Sequence, residues 1–498
     1  SSADSRMKDV MIYTPFNFKD LSDGYDPDLQ LTNPLVSVAD NARQQSRQTF
    51  NYNGSFTWEF IDNLKFKTEF GLDHYYNKDK RFYGVTTYNS RINGNNQPIA
   101  VFTSKERKTF RNTNTLNYDF KKILKNKDHS LSLLVGQELI KVKSNTDTDE
   151  VRFYPKLFTA DQAFNLSSQG TAFSTDKFYN ADDILLSYFA RANYDFQGKY
   201  LASATFRADG SSKFSKDNRW GFFPSAALAW RMSSENFMES TKSWLDDLKL
   251  RISYGTAGNN NIPSDQTSTI WSAGSGASIG WMNNMSSYWT TGAQMANPDL
   301  KWETTTQTNI GLDFGFFDQK LYGTAEYYIK KTKDILINLP APDVHGTASI
   351  PKQNSATVTN QGIEMTLGWQ DQIGDFSYGV NGNFTFVKNK VNKFKGTDKG
   401  GISYDGANII WEGHSINSQY LLRADRIIQT DADLALVQQM IDNAPIDEKT
   451  GKKVNPFAAF GTPQKGDLLY KDINGDGIID MDDREIVSDG PNPKFQFG

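Results

Sequence analysis

The chain has 498 residues, a formal net charge of −4 and no cysteine. Length allows several ordinary domains or one very large β-barrel, while the missing thiols exclude disulfide frameworks, thiolate catalysis and Cys-based zinc sites. A near-neutral balance without a Lys/Arg stripe points away from nucleic acid. Aromatic residues make up 13%, glycines number 37 and mean hydropathy is −0.60, and no run approaches the roughly 18 apolar residues of a transmembrane helix. Residues 1–30 lack the charged and apolar regions of a signal peptide, and the opening "SSADSRMKDV" has no initiator Met, as expected of a piece of a longer chain.

The main signal along the chain has a period of two. In "NYNGSFTWEF", Tyr52, Gly54, Phe56, Trp58 and Phe60 alternate with Asn51, Asn53, Ser55, Thr57 and Glu59. After Ile61-Asp62-Asn63 the pattern restarts as Leu64, Phe66, Thr68, Phe70, Leu72 against Lys65, Lys67, Glu69, Gly71, Asp73. That is a hairpin with one apolar and one polar face. The device recurs in "LLSYFARANYDFQGKYLASATFRADG", turning at Gln197-Gly198, in "TNIGLDFGFFDQKLYGTAEYYIKK" and in "GIEMTLGWQDQIGDFSYGVNGNFTF".

Twelve strands are expected, near 50–60, 64–76, 108–120, 130–141, 185–196, 199–209, 220–232, 247–256, 304–316, 320–332, 361–370 and 375–387. Strands of about ten residues are long enough to cross a bilayer when tilted. Links alternate between short (61–63, 121–129, 197–198, 233–246, 317–319, 371–374) and long (77–107, 142–184, 210–219, 257–303, 333–360 and 388 to about 492), with 210–219 the one irregular member. Short turns on one side and long loops on the other mark an outer-membrane barrel with external loops. Phe60, Tyr118, Phe120, Phe196, Phe316 and Trp369 near strand ends fit an interfacial aromatic girdle. The polar set Lys65, Lys67, Glu69, Arg191, Asp195, Arg207 and Glu364 is expected to face the interior.

The expected organisation is an upstream loop and strand lead-in over 1–47, barrel strands with their loops over 48–387, a long external loop over 388–492 and the start of another strand at 493–498. An open sheet edge cannot face lipid, so the chain reads as the middle of a larger barrel.

Five blocks resemble the SusC/RagA family of TonB-dependent outer-membrane transporters: "FRADGSSKFSKDNRWGFFPSAALAWRMSSENFM" (206–238), "WLDDLKLRISYGTAGNNNI" (244–262), "NPDLKWETTTQTNIGLDFGFFDQKLYGTAEYYIKKTKDIL" (297–336), "NQGIEMTLGW" (360–369) and "GDLLYKDINGDGIIDMDDREIVSDGPNPKFQFG" (466–498). The resemblance implies an all-β, 22-stranded antiparallel transmembrane barrel in the outer membrane of a Gram-negative bacterium, occluded by an N-terminal plug. It further implies import of glycans or peptides, a SusD-like surface lipoprotein as lid, energy from TonB–ExbB–ExbD, contact with outer-membrane lipid and pairing of two such units. This chain lacks plug, TonB-contacting segment, first strands and last strands of that pattern.

"YKDINGDGIIDMDDRE" (470–485) matches a calcium loop. Asp472, Asn474 and Asp476 take its positions 1, 3 and 5, Gly477 the sharp turn at 6, the Ile478 carbonyl 7, Asp480 9 and Asp483 12. With Asp at the last position and no flanking helices, the loop is closer to dockerin-type than to sensor loops, and a structural Ca²⁺ pinning an external loop is the expectation. The bland alternative is a solvated acidic turn.

Other chemistry is thin. His74, His129, His345 and His414 show no metal spacing, and no Ser/His/Asp arrangement can be assembled. "GTAGNNN" (255–261) follows a strand without opening a helix, against phosphate binding. Trp271, Trp281, Tyr288 and Trp289 in one long external loop could stack on sugar rings or simply pack the loop. "DADLALVQQMID" (431–442) after Thr430 reads as a capped helix positioned to touch a lid protein. The expectation is therefore a non-enzymatic importer; a passive porin or structural surface protein and a barrel-embedded surface hydrolase are the rivals.

Overall fold

The computed structural model describes residues 13, 25–26, 31–120, 128–179, 181–269, 271–273, 281–282, 285–286, 289–291, 295–338, 351–395, 402–447 and 450–498. Its principal strands are β1 (Asn41–Ile61), β2 (Leu64–Tyr83), β3 (Ile99–Asp119), β4 (His129–Arg152), β5 (Thr171–Tyr179), β6 (Asp183–Phe196) and β7 (Tyr200–Ser211). They continue with β8 (Trp220–Arg231), β9 (Leu245–Asn259), β10 (Glu303–Phe316), β11 (Leu321–Ile337), β12 (Gln353–Ile373), β13 (Phe376–Phe394) and the short β14 (Phe495–Phe497).

The chain forms two compact units. The first holds Ser1–Tyr118, Leu134–Phe189 and Asp209–Lys213. Here β1, β2 and β3 form an antiparallel meander whose register pairs Phe56 with Thr68 and Thr68 with Asn114. β5 lies on the outer end of β4, pairing Asn145 with Tyr179 and Arg152 with Thr171. A small core of Phe82, Ala100, Val151, Tyr154, Ala163 and Phe164 closes the loop end. Burial there pushes the Tyr154 phenol up to about 12.

The second unit holds Asp119–Leu133, Ala190–Ala208 and Phe214–Gly498. Within it β8 to β13 hydrogen-bond in chain order and β14 adds to β13. The tight links follow from local chemistry. Gln197 and Gly198 both adopt positive φ (56° and 66°), the twist that a two-residue hairpin turn needs, and the Asp195 carboxylate accepts the Gly198 N–H at 2.6 Å. The β8–β9 link instead winds through two 3-10 helices, Met232–Ser234 and Asn236–Thr241, where the Glu235 carboxylate accepts from Trp230 Nε1 at 3.1 Å and Lys199 Nζ at 3.3 Å. Hydrogen bonds from Tyr200, Trp230 and Lys199 hold the Glu235 carboxyl below its usual range.

The long segment after β13 is folded. Strands Ile402–Asp405, Asn408–Trp411, Ser418–Leu422 and Arg484–Ser488 form one small sheet, and Ala424–Ile427 pairs with Leu468–Tyr470. The helix Asp431–Asp442 starts on Thr430 with a reciprocal cap to Asp433, and its Val437 packs with Ile428, Phe457, Leu469 and Ile479.

Three departures from the sequence expectations share a cause. β1 is already extended at Asn41, β13 continues to Phe394, and β5 occupies part of the interval read as the link 142–184. In these stretches, such as "NARQQSRQ" and "TAFSTDKFY", neither face is consistently apolar, so alternation vanishes while the backbone ladder continues.

Candidate functional site

Strand register assigns every wall residue to one of two faces. One face is apolar and turned outward. Across β9, β10, β11, β12 and β13 it contains the row Ile252, Ile310, Tyr327, Ile363 and Phe386, and beside it Leu250, Leu312, Ala325, Met365 and Phe384. In the first unit Phe50, Tyr52, Phe56, Trp58, Phe70 and Leu72 share one apolar face of that unit's own sheet. Most of these side chains are exposed, Phe56 by 59% and Tyr52 by 61%, while Leu312, Ala325 and Phe386 are half-buried. A continuous apolar surface on alternate residues of adjacent strands is a surface that lipid covers.

The other face is polar and carries the candidate site. In the second unit its first row is Lys249, Asp313, Thr324, Thr366 and Asn383, and the next is Arg251, Gly311, Glu326, Glu364 and Thr385. Arg251 is the hinge of a charge network: its Nε donates to Asp313 at 2.8 Å and its NH1 reaches Glu326 at 2.8 Å, while Lys249 pairs with the other Asp313 oxygen at 2.8 Å. Gly311 makes this reach possible, since a Cβ there would stand 2.9 Å from the guanidinium. Glu364, directly opposite Glu326, adds a second carboxylate to the row.

Nearer the loops the inner face is mainly a lattice of amides and hydroxyls, with Lys330 standing in the row of Gln307, Asn360 and Asn389. Asn309 donates to Ser253 (3.2 Å), Gln307 to Asn309 (2.9 Å) and Asn389 to Asn360 (2.6 Å). Toward the short turns a recess of about 670 Å³ is lined by Ser132, Asn193, Asp195, Arg231, Lys249 and Arg251 among others. In the first unit the inner face holds the pairs Lys67–Glu69 at 2.7 Å and Lys65–Glu59 at 3.6 Å. Small and amide side chains leave room for, and hydrogen-bond to, a polar chain passing over them.

Of the sequence-expected interior residues, Lys65, Lys67 and Glu69 are paired as described and Glu364 stands opposite Glu326. Arg191 donates to Asn193 at 3.0 Å, and Asp195 caps its hairpin turn. Sequence reasoning missed Arg251, Asp313 and Glu326 as a unit, because only strand register brings three separated residues together.

The acidic loop 472–483 is present as a self-capped turn. Asp472 accepts the N–H of Gly475 and Gly477 (2.6 and 2.8 Å), Asn474 that of Asp476, and Asp476 that of Ile478. The fully buried Asp483 accepts from Ile473 and Asp480 (2.8 and 2.9 Å), and Asp480 from Asp482 at 2.7 Å. Gly475 and Gly477 both have φ of 77°. The oxygen donors suit a hard cation, yet among the described residues no group of three or more His, Cys, Asp or Glu stands placed to hold one. The carboxylates are directed to the loop's own backbone.

Of the loop aromatics, Tyr288 and the side chains of Trp271, Trp281 and Trp289 lie outside the described residues. Their backbones form short ladders, Trp271–Ala273 with Trp289–Thr291 and Trp281–Met282 with Met285–Ser286. His345 also lies outside the described residues; His74 pairs with Glu106 at 2.8 Å, His129 with Tyr194 at 2.7 Å, and the His414 ring lies tilted against Trp411.

Comparison with known proteins agrees with this geometry. Residues 8–426 match the family described as TonB dependent receptor-like, beta-barrel. TonB-dependent receptor P3 of Formosa agariphila is 30% identical over 489 residues, covering 94% of this chain and 44% of its own length. TonB-dependent receptor SusC of Bacteroides thetaiotaomicron is 31% identical over 309 residues, 62% of this chain and 28% of its own. The chain therefore spans less than half the length of these relatives. Among solved structures the RagAB peptide transporter superposes with a TM-score of 0.71 at 22% identity, over 94% of this chain and 47% of that one, which supports the fold. The apolar face is thus the lipid-facing surface of an outer-membrane wall, and the chain belongs to the TonB dependent receptor-like β-barrel family.

Proposed function

We propose that this chain forms a large part of the wall of an active importer that takes oligosaccharides or peptides across the outer membrane. The observation that carries the reading is the inner face, a hydrogen-bonding lattice of amides and hydroxyls above a paired-charge network centred on Arg251. Such a wall can hold a polar chain through many exchangeable hydrogen bonds, none strong enough to trap it. The name of one solved neighbour, a peptide transporter, supports the peptide class, and the resemblance to the SusC/RagA family supports both classes.

In this reading the wall performs no covalent chemistry. Energy comes from the inner membrane by TonB–ExbB–ExbD acting through a part of the parent protein upstream of this chain, and a SusD-like surface lipoprotein presents cargo at the loop side. Two such assemblies pair in the membrane. Trp271, Trp281, Tyr288 and Trp289 provide the stacking surface for sugar rings. The test is uptake of labelled oligosaccharides and peptides by cells carrying the parent protein. Uptake should fall to background when TonB is deleted; undiminished uptake would leave the passive porin.

A second proposal concerns the acidic loop: with millimolar Ca²⁺ outside the cell, Asp472, Asn474, Asp476, the Ile478 carbonyl, Asp480 and Asp483 turn from their backbone partners to one ion. The alternating oxygen donors and the positive-φ glycines support it. Titration calorimetry on the parent protein should give one Ca²⁺ per chain, abolished by Asp472→Ala. Absence of heat at millimolar Ca²⁺ would leave the self-capped turn as the whole story.

A further inference from the structure

The lipid-facing surface ends at the loop side in a cluster of lysines that the import reading does not use. On β13, Phe376, Tyr378, Val380, Gly382, Phe384 and Phe386 alternate outward. Ten residues of strand rise about 34 Å, which at a tilt of 40–45° is about 25 Å of height, the thickness of the apolar band of an outer-membrane barrel. The next two outward positions are Lys388 and Lys390.

Register places further cations at the same level. Lys331 of β11 pairs with Thr359 of β12, which pairs with Lys390 of β13. One row lower, Ile329 pairs with Gln361 and Gln361 with Lys388, and Lys333 stands one row above Lys331. β10 contributes Thr306 opposite Lys331 and Thr304 opposite Lys333. Four ammonium groups and several hydroxyls thus share one outward patch, with about 10 Å between the backbones of β11 and β13.

All four lysines are exposed, and none is in an ion pair among the described residues. The carboxylates at this edge are engaged elsewhere. Asp334 pairs with Lys301 at 3.1 Å, Glu303 accepts from Asn259 and the Leu336 N–H at 3.2 and 3.1 Å, and Glu412 accepts the Phe394 N–H at 2.6 Å. The patch is therefore a net positive surface joined without a gap to the row Ile252, Ile310, Tyr327, Ile363 and Phe386.

We propose that Lys331, Lys333, Lys388 and Lys390 bind the phosphate groups of an outer-leaflet glycolipid whose acyl chains lie on the apolar rows below. Charge complementarity selects the anion, since lysine presents three donors to phosphate oxygens. Continuity with the lipid-facing surface selects a lipid over a soluble anion: the height of the patch is that of the headgroups. The long loops after Ile337 and Phe394 put it on the outer leaflet, where the membrane's phosphorylated glycolipid resides.

The test uses the full-length parent protein, purified in mild detergent, with three probes: phosphorylated lipid A, its dephosphorylated form and inorganic phosphate. Native mass spectrometry reads the bound fraction. Replacing Lys331, Lys333, Lys388 and Lys390 by Ala should weaken binding of phosphorylated lipid A at least about tenfold, because the attraction between the cations and the lipid phosphates is removed. The Arg versions should retain binding, and wild type should bind dephosphorylated lipid A as weakly as the Ala variant binds the phosphorylated form.

Heat-modifiable migration checks folding, and Lys388→Ala/Lys390→Ala serves if the fourfold variant fails to fold. A control removing Lys452, Lys453, Lys465 and Lys471 matches the charge change and should bind normally. Equal binding by variant and wild type, equal binding of dephosphorylated lipid A, or retention of inorganic phosphate alone by the same lysines would each overturn the proposal.

Discussion

At the scale of single residues, the charge network of the inner wall depends on a missing side chain. Gly311 sits between Arg251 on one neighbouring strand and Glu326 on the other, and the guanidinium crosses the space a Cβ would fill. Gly311→Val should displace Arg251 from Glu326 and cost about 1–2 kcal/mol, measured by denaturant unfolding of the parent protein in bilayers. Arg251→Ala should make Gly311→Val nearly silent, because the clash and the lost pair are one event.

Asp433 gives a pH prediction of known sign. Its carboxylate accepts from the Thr430 hydroxyl and N–H and the Gln429 N–H, which lower its pKa to about 2. The folded value lies below the unfolded one, so the capping contribution is complete above about pH 4. It is lost as pH falls through about 2. Hydrogen-exchange protection of Asp431–Asp442 should therefore fall in acid before that of β13, and Asp433→Asn should lower it already at neutral pH.

At the scale of elements, one strand face is in lipid and the other is turned away from it, so equal substitutions at different heights have unequal costs. Met365→Arg, among the middle rows of the outward face, should cost about 2–4 kcal/mol, whereas Gln361→Arg, level with Lys388, should cost about 1 kcal/mol or less. Unfolding in bilayers measures both. The period-two alternation that made β12 legible in "GIEMTLGW" reflects the same division. It fails in "NARQQSRQ" at the start of β1 and in β5, where water or polar neighbours meet both faces and the backbone ladder alone holds the strand. The hairpin at Gln197-Gly198 was readable because positive φ at successive positions has few residue solutions; the 3-10 winding of the β8–β9 link was not, because it follows from Glu235 capturing Trp230 and Lys199.

At the scale of the whole molecule, the alternation of links assigns the two sides of the membrane. An epitope inserted at the exposed Gly451 should be labelled on intact cells, while one at Gly374, in the short β12–β13 turn, should be labelled only after the outer membrane is permeabilised. Labelling in the reverse order would invert the barrel and place the lysine patch on the inner leaflet.

The sequence by itself determined the class of this protein. Strand periodicity, short turns alternating with long links and five family-like blocks are local properties, each written in neighbouring residues. Only the tertiary structure decided which residues act together, because register is a relation between strands far apart in the chain. Arg251, Asp313 and Glu326 become a network, and Lys331 and Lys390 one patch, through backbone pairings that place residues of separate strands side by side. The same reason governs the acidic loop: its donor spacing is legible, but where each carboxylate points is set by N–H groups that only the folded turn presents.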